Sequence, residues 1–145
     1  MHVIGHDPRS YAPGVLPMLS NAYVCELADV ISLHVHLDDS TRGLVDREFL
    51  SSMKPGAFLI NTSRGGIVDE HAIVSALEDG YLGGYAADVV ESELTDDPAG
   101  GVIADAARRG LNVIVTPHVG GMTHDARRIA YNHVIDLFVS RLAAI

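Results

Sequence analysis

Three stretches of the 145-residue chain hold side chains that could act together on one small molecule. The first is Asn61-Thr62-Ser63-Arg64-Gly65-Gly66-Ile67-Val68-Asp69-Glu70. Its guanidinium can fork onto a carboxylate with two parallel hydrogen bonds. The two glycines after it would let the backbone approach a flat ligand closely. The second is Asp88-Val89-Val90-Glu91-Ser92-Glu93, and the third is Thr116-Pro117-His118-Val119-Gly120-Gly121. Histidine exchanges a proton near neutral pH and so suits a general acid or base. A carboxylate beside it favours the imidazolium. Taken singly, each stretch reads as an ordinary loop: an Arg in a surface ion pair, a solvated Glu, a polar loop His. The signal is their joint placement, each at the end of an apolar run.

Those runs must be the elements that position the three stretches. Short β-branched or apolar runs at His2–His6, Val30–Val35, Ala57–Ile60, Tyr85–Val89 and Asn112–Thr116 predict strands. Val15-Leu16 predicts a further short one. Helices are predicted between them, from a cap at Ser20 or Asn21 to Ala28, from Asp46 to Met53, from a cap at Asp69 through Leu77, and from Ala104 to Arg109. Gly80 ends the third of these, residues 91–101 read as a loop, and Thr123 caps a long final helix. Strands separated by helices imply crossover connections and a parallel sheet. The predicted class is α/β, a doubly wound parallel sheet. Ligands of such sheets sit beyond the carboxyl ends of the strands. That edge holds Asp7, His36, residues 61–66, residues 88–93 and residues 117–121.

Composition narrows the functions. Ten basic residues against nineteen acidic ones give a net charge of −9, spread evenly along the chain. This argues against nucleic-acid or anionic-membrane partners, which need clustered Lys and Arg. Apolar residues make up 48%, enough for a packed core. Cys25 is the single cysteine, so neither an intrachain disulfide nor a cysteine-based zinc site can form. No apolar run reaches the roughly 18 residues of a membrane span, and no secretory leader opens the chain, so a cytoplasmic protein is expected. Asn61-Thr62-Ser63 matches the glycosylation pattern and is read as a chance match. His34 and His36 alternate as a metal site would, but no third ligand stands at metal spacing, and no metal is expected.

In combination these stretches resemble the D-isomer-specific 2-hydroxyacid dehydrogenases. The resemblance rests on His6-Asp7-Pro8, Ala28-Asp29-Val30-Ile31-Ser32-Leu33-His34-Val35, Met53-Lys54-Pro55-Gly56-Ala57, the run from Asn61 to Glu70, Ala87-Asp88-Val89 with Glu93, and the Thr116–Gly121 stretch. It spans nearly the whole chain and implies a Rossmann-like fold with NAD as cofactor. It implies that Arg64 holds a substrate carboxylate and polarises its carbonyl, that His118 is the acid–base residue, and that Glu93 pairs with it. Asp88 would bond the nicotinamide carboxamide. Asp7 would hold the adenosine ribose, favouring NAD over NADP, with Arg9 able to soften that preference. His36, Thr62, Ser63, Arg64, His118, Gly120 and Gly121 would border the cofactor. His36 stands where the family usually has Pro. The implied partner is a small 2-hydroxy or 2-keto acid, and the implied assembly a homodimer. Glu rather than Gln at position 93 leans away from formate oxidation, which has no hydroxyl proton to move.

The chain also departs from the family pattern. Of its fourteen glycines, no two are spaced i, i+2, so the G-x-G-x-x-G that cradles a pyrophosphate is absent. The sequence starts at the family's second strand, and the first would stand centrally beside it. Its loss would leave the Asp7 strand without a neighbour and expose two apolar edges. No substrate-binding domain is present either. Residues 1–145 therefore read as a partial NAD-binding domain, expected to be part of a longer dehydrogenase. A truncated inactive product and a chain completed by a partner are the alternatives. A non-catalytic NAD-binding module, similar to certain transcriptional corepressors, is the competing function.

Overall fold

The structure is a computed structural model, and it describes residues 1–8, 19–95 and 100–142. The strand expected at Val15-Leu16 and the position of Arg9 lie outside the described residues.

Four strands, β1 (Val30–Leu33), β2 (Phe58–Asn61), β3 (Gly84–Ala87) and β4 (Val113–Val115), form one parallel sheet in the order β1-β2-β3-β4. Its registers align Leu33 with Asn61, Asn61 with Ala87, and Ala87 with Val115, so the strands end together at one edge. Among the described residues five α-helices accompany them: α1 (Asn21–Leu27), α2 (Arg47–Ser52), α3 (Glu70–Glu78), α4 (Val102–Arg108) and α5 (His124–Leu142). Their starts follow local chemistry. The Phe49 N–H donates to Asp46, those of His71 and Ala72 to Asp69, and that of Ala126 to Thr123.

Alternation along the strands decides where the core sits. Ile31, Leu33, Leu59, Tyr85 and Ala87 point to one face and are buried. Helices α1 to α4 pack in sequence beside one another, with α4 also on β4. Val45, Leu59, Ile67, Ile73 and Ile103 are fully enclosed. The opposite face carries Val30, Phe58 and Ile114, which are 53%, 45% and 65% exposed. Among the described residues, then, the sheet is covered on one side only. Helix α5 buries none of its residues, although Ile129, Val134, Leu137 and Phe138 are apolar.

The strand expected at His2–His6 does not join the sheet. Gly5 makes a lone bridge, and its carbonyl accepts the Leu19 N–H at 2.8 Å. The physical reason is pairing. A strand forms only where a neighbour satisfies its ladder, and β1, at the end of the strand order, pairs with β2 alone. Residues 91–101, expected as loop, include a 3-10 turn at Glu91–Leu94.

Candidate active site

The carboxyl edge of the sheet gathers the three chemical stretches. At the end of β2, Asn61 is fully buried and shapes the turn that bears Arg64. Its amide Nδ2 donates to the Arg64 carbonyl at 2.9 Å, and its Oδ1 accepts the Ser63 N–H at 3.0 Å. A buried side chain engaged at both ends is no glycan acceptor in the folded chain. The Ser63 hydroxyl donates to the Leu33 carbonyl at 2.9 Å, which ties this turn to β1. The Arg64 side chain is exposed, with Nη1 donating to the Ser63 carbonyl at 2.6 Å. Its remaining donors can meet an incoming carboxylate. An open cleft of about 510 Å³ is lined here by His34, Val35, His36, Leu37, Ser63 and Arg64.

His118 and Glu93 come together from loops 25 residues apart. The His118 Nδ1–H donates to Glu93 Oε2 at 3.1 Å, leaving Nε2 as the ring's second exchange point. Among the described residues His118 is the non-glycine with a positive φ, 52°. That left-handed conformation is unfavourable for a residue with a Cβ, and such residues concentrate at functional sites. The surroundings hold it there. Asp88 accepts the Thr116 hydroxyl and the N–H of Val119 on Oδ1, and the N–H of Gly120 on Oδ2. Partial burial alone would raise the Asp88 carboxyl. The Thr116, Gly120 and Val119 donors and the nearby His118 together outweigh it, and it lies below the usual aspartate range. The clamp is therefore complete above the ordinary aspartate range and is lost only as the pH falls through that lowered value.

Gly65 corrects a sequence expectation. Its open side does not face a flat ligand. A Cβ there would overlap the backbone of Val90 and Glu91, so the Arg64 turn and the Glu93 turn are in direct backbone contact. A Cβ on Gly66 would meet only the ends of the Arg42 and Leu37 side chains, at 3.2 and 3.3 Å, which can shift. Gly65→Ala should cost about 1–3 kcal/mol through overpacking against immovable main chain. An unchanged urea midpoint in that variant would show that the two turns do not press on one another. Beneath the contact lie two further polar groups that sequence reasoning missed. Glu70, 5% exposed, accepts the Glu91 N–H at 2.8 Å. The Tyr85 hydroxyl is buried without a hydrogen bond of ordinary geometry. Burial pushes the Tyr85 phenol up to about 12, with Asn61 acting against the rise and Glu70 adding to it.

This chain matches a protein-family model described as the D-isomer specific 2-hydroxyacid dehydrogenase, NAD binding domain, over residues 1–120. The chain belongs to that family. It is 42% identical over 132 residues to an (S)-sulfolactate dehydrogenase of Chromohalobacter salexigens, covering 87% of this chain and 40% of the relative. Among solved structures, the NAD-complexed D-isomer specific 2-hydroxyacid dehydrogenase of Lactobacillus delbrueckii ssp. bulgaricus superposes with a TM-score of 0.81. The identity is 29%, covering 97% of this chain and 46% of that one. The Aquifex aeolicus D-lactate dehydrogenase complexed with NAD and lactic acid gives a TM-score of 0.80 at 28% identity, covering 99% of this chain and 47% of that one. The chain thus spans less than half the length of each of these three relatives.

NAD is the cofactor that this domain family binds. The carboxyl edge offers an open cleft beside Ser63 and Arg64, and Thr62, Gly120 and Gly121 are exposed. The pyrophosphate end is different, since the sequence holds no i, i+2 glycine turn to cradle it. Asp7 is exposed on the segment that stays off the sheet, and His36 is exposed with its carbonyl accepting the Thr41 hydroxyl at 2.6 Å. Among the described residues no group of three or more His, Cys, Asp or Glu is disposed to hold a metal ion. Nor is any described helix long and apolar enough to cross a membrane.

Proposed function

We propose that this chain forms the larger part of the cofactor domain of an NAD-dependent dehydrogenase acting on a small 2-hydroxy or 2-keto acid. The observation that carries the reading is the His118–Glu93 hydrogen bond of 3.1 Å, at the same sheet edge as the exposed Arg64. When bound, NAD supplies the hydride acceptor or donor. The protein's own groups handle the charge and the proton. Arg64 grips the substrate carboxylate with its free donors. His118 accepts the hydroxyl proton in oxidation and returns it to the carbonyl oxygen in reduction. Glu93 fixes the imidazole tautomer through Nδ1 and favours its charged form. Thr62, Ser63, His36, Gly120 and Gly121 border the nicotinamide, Asp88 bonds its carboxamide while holding the His118 loop, and Asp7 receives the adenosine ribose.

Relatives named as sulfolactate and D-lactate dehydrogenases support a small hydroxy-acid substrate. The exposed apolar sheet face and helix α5 support burial against further protein, as a homodimer would provide. The test is NADH consumption by the full-length protein with glyoxylate, hydroxypyruvate and pyruvate, followed by absorbance. Turnover of at least one acid is expected. No turnover across the panel, together with capture of a specific protein partner, would overturn the reading in favour of a non-catalytic NAD-binding module.

A further inference from the structure

Glu70 sits where a glutamate is seldom found. Acidic side chains are almost never buried without a specific partner, yet this one is 5% exposed. An acid in the first turn of a helix is usually there for the helix, complementing its dipole. Here that explanation is insufficient, because the capping of α3 is already supplied by Asp69, which accepts from His71 and Ala72. The Glu70 carboxylate instead reaches across 21 residues of sequence to the Glu91 N–H.

Glu91 is the residue that starts the 3-10 turn carrying Glu93. The bond that opens the turn is long, the Glu93 N–H meeting the Val90 carbonyl at 3.3 Å, whereas the one that closes it, from the Thr95 N–H to the Ser92 carbonyl, is 3.0 Å. The Val90–Glu91 peptide packs so closely on Gly65 that a Cβ added there would overlap it. The Glu70 hydrogen bond and the close packing on Gly65 therefore both hold the backbone two residues before Glu93. Burial, the largest influence, raises the Glu70 carboxyl; the Glu91 N–H works against it, Glu91's own charge adds to the rise and His71 opposes it.

We infer that Glu70 is a positioning residue for the Glu93–His118 pair, holding the main chain from which Glu93 reaches its histidine. The inference rests on the reading of that pair as the acid–base centre. Glu70 touches no reacting atom. Its effect passes through the placement of one carboxylate, and a displacement of about 1 Å at a reacting centre can cost up to 10²-fold in rate.

A double-mutant cycle in the full-length protein tests this, with NADH and a 2-keto acid that it reduces. Glu70→Ala should lower kcat by about 10- to 100-fold with little change in KM. Glu70→Gln keeps an Oε1 acceptor and should retain most of the rate. Glu93→Gln should itself lower kcat, and adding Glu70→Ala to it should then cost almost nothing further, since coupled residues do not add. The pH profile of kcat/KM for Glu70→Ala should also move toward that of Glu93→Gln. Should Glu70→Ala fail to fold, Glu70→Met fills similar space without an acceptor and is read by the same criteria. An equal loss from the Glu70 variant in both backgrounds would overturn the positioning role and leave the acid–base reading standing. A Glu93→Gln enzyme with unaltered kcat and pH profile would remove the acid–base reading itself.

Discussion

Replacing His118 by alanine in the full-length protein should lower kcat by about 10²–10⁴-fold, the usual worth of a positioned acid–base group. KM should change far less, because the proton moves only as the bond to hydrogen breaks or forms. Three features of this site argue for the upper part of that range. The ring is oriented through Nδ1 by Glu93 at 3.1 Å, so one defined nitrogen remains for the substrate. The backbone is held at φ 52°, a conformation that costs energy and persists only under constraint. Asp88 supplies that constraint by accepting three groups that flank His118 in the chain, the Thr116 hydroxyl and the Val119 and Gly120 N–H groups. Steady-state assay in both directions is the check. In reduction the imidazolium must donate, so the variant's rate should lose its dependence on the histidine proton. An unchanged kcat would mean that no proton passes through His118, and the dehydrogenase reading would fall with it.

The parts of this structure that were legible in the sequence are those decided locally. Asp46, Asp69 and Thr123 cap helices because their side chains reach N–H groups two or three residues away. The four strands of the sheet lie within the apolar runs that predict them, give or take one or two residues at their ends. The parallel order follows from strands alternating with helices. What was not legible depends on chain far away in sequence. The run at His2–His6 carries the β-branched pair Val3-Ile4, but strand formation needs a neighbour, and none of the four described strands pairs with it. Glu70 reads as an ordinary first-turn acid, and its bond to Glu91 appears only when α3 is packed beside the turn after β3. Gly65 and Gly66 read as room for a ligand, whereas at Gly65 the room is taken by the protein's own Val90 and Glu91 backbone. Residue type showed that the two glycines were special, and did not show that Glu70 was. Only the packing showed what they were special for.

Arg64→Ala should lower kcat/KM for a 2-keto acid by about 10²–10³-fold, within the range for removing one partner of a desolvated, hydrogen-bonded charge pair. The side chain is anchored lightly, with Nη1 on the Ser63 carbonyl at 2.6 Å, while Asn61 and Ser63 fix the turn beneath it. Truncating it should therefore leave the turn and the unfolding midpoint nearly unchanged. Arg64→Lys should recover part of the loss only, because an ammonium is a point charge and cannot fork onto both carboxylate oxygens. The methyl ester of the same keto acid separates binding from damage. It offers no carboxylate, so the loss in Arg64→Ala should be much smaller on the ester than on the acid. If the variant lost activity on ester and acid alike, the guanidinium would be supporting the cofactor or the fold. If it lost neither, the carboxylate would be held elsewhere, and the cleft lined by His34, His36 and Arg64 would not be where the substrate sits.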